Sequence, residues 1–167
     1  MLLTCFLVIA FSGFIGAYSI GSSHSAPIEI IGDNIGLRVE PAEGRLFSVE
    51  NLYPGKTESK TVTVSNAGDN PFTLDISLAV SGDTELIEAL WLVITDSGNV
   101  TYYDGPLELA AADLGQINAG SGVDLLFQLT LLTGRGNVTQ AKSAEMLWTF
   151  AAATIMPGPS PDPDPTP

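Results

Sequence analysis

Cysteine and histidine are almost absent from this chain of 167 residues: Cys5 and His24 are the sole examples. One thiol makes no intrachain disulfide, so stability has to come from packing. A zinc site of the usual kind needs several His or Cys ligands, and no H-E-x-x-H pattern occurs. Nucleophilic catalysis of the Ser-His or Cys-His kind has no base within the folded part, because His24 sits in a Ser-rich stretch. Positive charge is scarce as well. Six Lys and Arg stand against 19 Asp and Glu, for a net charge of −13. Phosphate contacts need clustered Lys or Arg, which excludes nucleic acid as a partner. The glycines are dispersed and form no phosphate-cradling loop. The acids are scattered over turns and read as solvated charges rather than a catalytic carboxylate pair. No catalytic residue, cofactor or metal is expected, and the chain does not read as an enzyme.

What is present is alternation. Hydrophobic residues make up 45% of the chain, enough for one domain with a real core. The clearest stretch runs from Asn51 to Val80. Pro54-Gly55 supplies a turn. Thr61 to Ser65 then alternates hydroxyl and apolar side chains, with Val62 and Val64 on one face. After the punctuation of 66–71, Phe72, Leu74, Ile76, Leu78 and Val80 recur at strict period two. Two such strands joined by a short polar loop read as an antiparallel pair with one buried face.

Further strands are expected at Ile35–Glu40, around Phe47 and Val49, at Trp91–Thr95 and Val100–Tyr103 as a hairpin, at Val123–Leu132, and at Ala144–Ala152. In the last, Met146, Trp148 and Phe150 share a face. Thr84 to Leu90 reads as a helix start with Thr84 as N-cap. Leu107 to Leu114 is the best helix by composition, opened by Pro106 and closed by Gly115. Short strands, turns and one or two small helices make an all-β antiparallel sandwich.

The ends differ from this middle. Residues 1–17 form an apolar run of signal-peptide length, short of the roughly 20 residues of a spanning helix. Side-chain size favours cleavage at Ala17–Tyr18, with Ser25–Ala26 second. The expected product is secreted, extracellular or on the cell surface, and meets the membrane only through the leader before cleavage. Residues 18–34 are expected to be a flexible segment, 35–155 the sandwich, and 156–167 a Pro-rich stalk of extended polyproline character.

Three further patterns are weaker. Asp96, Asn99 and Asp104 are oxygen-bearing residues near one hairpin and raise the possibility of calcium, but turn-forming Asp and Asn explain the same letters better. Asn99-Val100-Thr101 and Asn137-Val138-Thr139 fit glycosylation acceptors. Trp91, Tyr102, Tyr103, Trp148 and Phe150 would suit a sugar groove, yet at alternating positions they read first as core or cross-strand pairs.

Several stretches, in order, resemble the camelysin/TasA family of secreted Gram-positive matrix proteins. They are a leader ending in G-A-Y-S, then L-Y-P-G-K-T-E-S-K-T-V-T-V-S-N-A-G, L-I-E-A-L-W-L-V-I-T, Y-Y-D-G-P-L-E-L, and G-N-V-T-Q before a closing W-T-F. Tyr18-Ser19-Ile20-Gly21 stands where the family has an acidic start. The resemblance implies a jelly-roll-like sandwich that assembles into fibres of a biofilm matrix, each subunit lending a strand near its mature N-terminus to the next. The matching positions are Tyr18 to about Ile31, with Tyr18, Ile20, Ile28, Ile30 and Ile31 as the exchange residues. Pairing of 27–31 within its own domain is the equal alternative. Some family members are labelled metalloproteases, but the ligands for that are missing here. The expectation is a secreted, non-enzymatic structural subunit whose main partner is itself, with other matrix or surface components as further partners. The alternative is a cell-surface binding or adhesion module on the Pro-rich stalk, with a secreted metal-dependent protease third.

Overall fold

Strand alternation decides the architecture, because every strongly periodic segment hides one row of side chains and leaves the other in water. The computed structural model describes residues 6–15, 29–32, 35–40, 46–49, 52–134, 139 and 142–155, with the backbone alone for 6–15, 29–32 and 48–49. In chain order the strands are β1 Phe6–Ile15, β2 Glu29–Gly32, β3 Ile35–Glu40, β4 Ser48–Val49, β5 Thr57–Asn66 and β6 Phe72–Gly82. After the one-turn helix α1, Thr84–Ile87, come β7 Leu90–Asp96, β8 Thr101–Pro106, β9 Ala111–Ile117, β10 Gly122–Leu131 and β11 Ala144–Thr154. They form a five-stranded sheet, β4-β1-β11-β6-β9, and a six-stranded sheet, β2-β3-β5-β10-β7-β8. Pairing is antiparallel except between β1 and β4. The expected all-β sandwich is what the chain forms. Strands 6–15 and 29–32 join its sheets ahead of the 35–155 span read from the sequence.

The core lies between the sheets. From one side come Val62 and Val64 of β5, Leu92 and Ile94 of β7, and Leu125, Phe127 and Leu129 of β10. From the other come Phe72, Leu74 and Ile76 of β6, and Met146, Trp148 and Phe150 of β11. These are the rows that period two selects. Across the seam Phe127 meets Trp148 edge to face, with ring centroids 5.1 Å apart. That geometry suits the ring quadrupoles better than a face-to-face stack.

One pairing departs from expectation. β5 and β6 do not form a hairpin: β5 bonds β3 and β10, whereas β6 bonds β11 and β9 in the other sheet. The stretch 67–71 is an arch that carries the chain across the sandwich. Both strands therefore turn their apolar rows toward the same core from opposite sides. Asn66, buried at the end of β5, organises the arch. Its Nδ2 donates to Asn70 O at 2.8 Å and to Ile117 O at 3.1 Å, and its Oδ1 accepts from Gly68 N at 3.0 Å.

The arch also presses on β3. Ala67 N donates to Gly36 O at 2.6 Å, and a Cβ on Gly36 would collide with the backbone of Gly68 and stand 2.6 Å from Ala67 C. No flexible side chain is there to yield. Gly36→Ala is expected to destabilise the domain by about 2 kcal/mol or more, read as a lower midpoint in urea with an unchanged slope.

The expected helix over 107–114 is a second correction. Leu107–Leu109 makes a single 3-10 turn, and Ala111–Ile117 is strand β9, paired with β6. Helix propensity is a weak prior. Here Ala110, Ala112 and Ile117 are buried while Ala111 and Asp113 are exposed, so tertiary pairing overrides the Ala-Leu composition. Helix α1 is shorter than expected, with Asp83 rather than Thr84 at the N-cap position. Leu90 already belongs to β7. β8 runs past the expected end at Tyr103 through Asp104 and Gly105 to Pro106, which an edge strand tolerates.

Candidate functional site: the rims of the two sheets

A sandwich offers two surfaces with unspent bonding capacity, its outer faces and its rims. The rims carry rows of backbone N–H and C=O groups that a further strand can bond. The sheet orders put β2 and β8 at the ends of the six-stranded sheet, and β4 and β9 at the ends of the five-stranded one.

Three of these places are protected. The β8 rim is irregular, with a register shift against β7 between Ile94 and Thr95, and it ends in Pro106. The β9 rim shifts against β6 between Leu74 and Asp75. There Gly115 takes φ +69, a conformation that favours glycine, and its N–H donates to Asp113 Oδ1 at 2.7 Å. Bulges of this kind turn an edge away from a flat partner. The β2 rim is four residues long.

The fourth place is different. β1 pairs along its whole length with β11, from Phe6 opposite Ala153 to Ile15 opposite Ala144. On its other side β4 covers only Phe14 and Ile15. The register sets Leu7, Ile9, Phe11, Gly13 and Ile15 opposite Ala152, Phe150, Trp148, Met146 and Ala144, all five of them buried. A slot for a ten-residue strand thus runs along β11, and the segment in it has the composition of a leader. The sequence reading missed this. Both rows of 6–15 are apolar, so its letters serve a leader and a strand equally well, and alternation is invisible in it.

Of the expected exchange residues, Ile30 and Ile31 lie in β2, opposite Leu37 and Gly36 of β3. Tyr18, Ile20 and Ile28 fall outside the described residues, as do both candidate cleavage points, His24, Cys5, Asn137 and the Pro-rich stalk.

The Asp96 hairpin is built as a turn. Asp96 Oδ1 accepts from Gly98 N at 2.8 Å and Val100 N at 2.9 Å, and Oδ2 accepts from Tyr102 Oη at 3.0 Å. Asn99 supports the tight turn with φ +62. Asp104 accepts from Trp91 Nε1 at 2.7 Å. Asp96 and Asp104 are thus engaged by separate donors while Asn99 shapes the turn, and among the described residues no group of three or more His, Cys, Asp or Glu is placed to hold a metal ion. The backbone N–H of Val100, chiefly, holds the Asp96 carboxyl below the usual aspartate range. Burial, then the bond to Asp96, raises the Tyr102 hydroxyl. Asp83 is lowered in the same way as Asp96, first by Ser143 N, which donates to its Oδ2 at 2.8 Å, and also by Lys142.

These depressed carboxylates set a pH dependence. A lowered folded-state value adds stability above the unfolded value of 3.8 and loses it as pH falls through the folded one. Thermal melts from about pH 5 to about pH 2 are expected to show an acid limb below 3.8 that is shallower in Asp96→Asn and Asp83→Asn. An unchanged limb in both variants would assign it to other carboxylates.

The aromatics weighed for a sugar groove divide. Trp148 and Phe150 are core, whereas Trp91, Tyr102 and Tyr103 are half-buried on the β7–β8 hairpin. The outward row beside them is rich in hydroxyls: Thr57 and Thr130 hydroxyls lie 2.7 Å apart, and Thr63 donates to Asp124 at 2.6 Å.

The chain matches no protein-family profile and no curated protein.

Proposed function

We propose that this protein is a secreted, non-enzymatic structural subunit that joins copies of itself by strand addition along the β11 rim. One observation carries the reading: the strand bonded to β11 is Phe6–Ile15, cut from a stretch of leader composition. Removal of a leader there leaves the inner strand of a sandwich with an unpaired row ten residues long. Such a row is a template for another chain, and main-chain hydrogen bonds along it give affinity without any reactive centre. The buried Phe150, Trp148 and Met146 along β11 supply register. The donor in this reading is the segment Tyr18 to Ile31 of the next copy, which gives up the pairing of Ile30 and Ile31 with β3 to reach its neighbour. The order of motifs shared with the camelysin/TasA family points the same way, toward fibres of an extracellular or biofilm matrix with a jelly-roll-like subunit.

Electron microscopy and light scattering of the chain from Tyr18 onward test this. Polymers that disappear on deletion of 18–31 are expected. A net charge of −13 on each copy makes them repel, so polymer should increase with salt. A folded monomer at every concentration and salt would refute the reading.

A second reading is a glycan-binding module, favoured by the hydroxyl-rich outer face beside Trp91. It predicts quenching or a shift of Trp91 fluorescence by a neutral polysaccharide, with no dependence on residues 18–31.

A further inference from the structure

We propose that the leader acts in cis as a plug: while it remains attached, Phe6–Ile15 fills the β11 slot and holds the chain as a self-complemented monomer, and its removal licenses assembly. This rests on the reading of the β11 rim as the assembly site, and adds how that site is controlled.

The geometry carries the step. β1 is bonded along its full length to β11, one to one and without a register shift, unlike the pairings of β8 and β9. At its end it also takes up β4 in parallel, through Phe14 and Ile15, so the plug completes the sheet on both sides there. Its alternate positions stand opposite the buried row of β11 in register, from Ala152 to Ala144. The plug is tethered to the rest of the domain through 16–28, the stretch that contains both candidate cleavage points. A tethered strand competes at an effective concentration of the order of millimolar against a donor supplied by micromolar subunits, an advantage of about a thousandfold. An uncut chain therefore keeps its own strand. A cut anywhere in 16–28 turns the plug into a free peptide, and the advantage disappears with dilution. Export and cleavage would thus be coupled to assembly by strand exchange at one edge, and a chain that never reaches the peptidase would stay monomeric.

The test uses the full chain with a site-specific protease sequence inserted between Ala17 and Tyr18, which leaves the donor segment 18–31 whole, made by membrane-free synthesis in a Trp91→Phe background, so that Trp148 is the one remaining indole. Trp148 sits on β11 opposite Phe11 and reports the slot. Uncut protein is expected to run as a monomer at micromolar concentration with blue emission. Cutting and dilution should lower the concentration at which polymer forms by at least about a hundredfold, within the tether advantage estimated above. An excess of a peptide of residues 6–15 should return the cut chain to monomer, and the same peptide carrying Ile9→Asp and Phe11→Asp should not.

The outcomes separate the two ideas. Uncut chain that polymerises as readily as cut chain, or a peptide that neither binds nor blocks, overturns the plug and leaves assembly by strand addition standing. Cut chain that stays monomeric after the peptide has been removed overturns strand addition, and the plug with it. Peptide that co-elutes with a monomeric cut chain, and releases polymer when washed away, supports both.

Discussion

Trp148→Ala is expected to destabilise the sandwich by about 3–5 kcal/mol, the largest loss of any single truncation here. Trp148 is fully buried on the middle strand of the five-stranded sheet, with Leu78 of β6 as its cross-strand neighbour and Phe127 of the opposite sheet against it. Removing the indole therefore opens a cavity at the seam between the sheets, where two layers rather than one have to relax. Domains of this size hold about 5–15 kcal/mol in total, so the variant should sit close to the edge of folding. Its melting temperature should fall by roughly 10 °C or more, at about 2–4 °C for each kcal/mol in a domain of this length. Urea titration followed by Trp91 fluorescence measures the effect directly, because Trp91 remains. Trp148→Phe is the informative companion. The indole N–H is buried and finds no acceptor among the described residues. Leaving such a donor unpaired costs about 1–3 kcal/mol, which the phenyl ring avoids. The phenylalanine variant should therefore lose far less than its missing volume alone predicts. A Trp148→Ala protein within about 1 kcal/mol of the parent, well under the usual cost of such a truncation, would mean that the inner row of β11 does not face the seam.

The rows on either side of that seam were legible from the letters. Phe72, Leu74 and Ile76 alternate with Thr73 and Asp75, and Leu125, Phe127 and Leu129 with the mixed row of Leu126 and Gln128; a period of two has one structural meaning when one face is buried. Connections were much less legible. The stretch 67–71 has the composition of a hairpin loop. Nothing within it tells a return along the same sheet from a crossing to the other, because the choice is made by partners distant in sequence: β10 for one strand and β11 for the other. Leu107 to Leu114 failed for a related reason. Its alanines favour a helix locally, yet Ala112 packs in the core and the strand it belongs to completes the edge beside β6. The proposed assembly site was the least legible of all. A rim is defined by which strand lacks a neighbour, and that is a property of the whole topology. The resemblance offered Tyr18–Ile31 as a strand to be lent, with pairing inside its own domain as the equal alternative, but the slot proposed to receive one became visible only when Phe6–Ile15 was seen lying along β11.

The arch gives the second large effect. Asn66→Ala is expected to cost about 3 kcal/mol, because it removes three hydrogen bonds made by a buried side chain, the one to Ile117 O wholly buried. Asn66 is the one buried polar side chain among the described residues, and it ties the end of β5 to the arch and to the end of β9. Nδ2 reaches Ile117 O at the end of β9 and Asn70 O in the arch, while Oδ1 holds Gly68 N. Its backbone adds to the same joint, donating to Ser121 O and accepting from Gly120 N. Alanine leaves the Ile117 carbonyl without its buried partner and strips the arch of its bonds through Asn70 O and Gly68 N. Asn66→Asp separates geometry from bonding. It keeps nearly the same shape and the acceptor for Gly68 N, loses the donors to Asn70 and Ile117, and places a charge in the interior. It should therefore be worse than alanine at neutral pH. It should recover part of its stability on acidification toward pH 5, because burial favours the neutral carboxyl. The parent gains nothing of the kind over that range from Asp83 and Asp96, whose values are lowered. Combined with Gly36→Ala, which strains the same arch from the β3 side, Asn66→Ala should be less damaging than the two separate losses added together, since residues sharing one joint couple. Strict additivity in a double-mutant cycle, measured by urea unfolding, would show that the arch is held elsewhere and that Asn66 and Gly36 act independently.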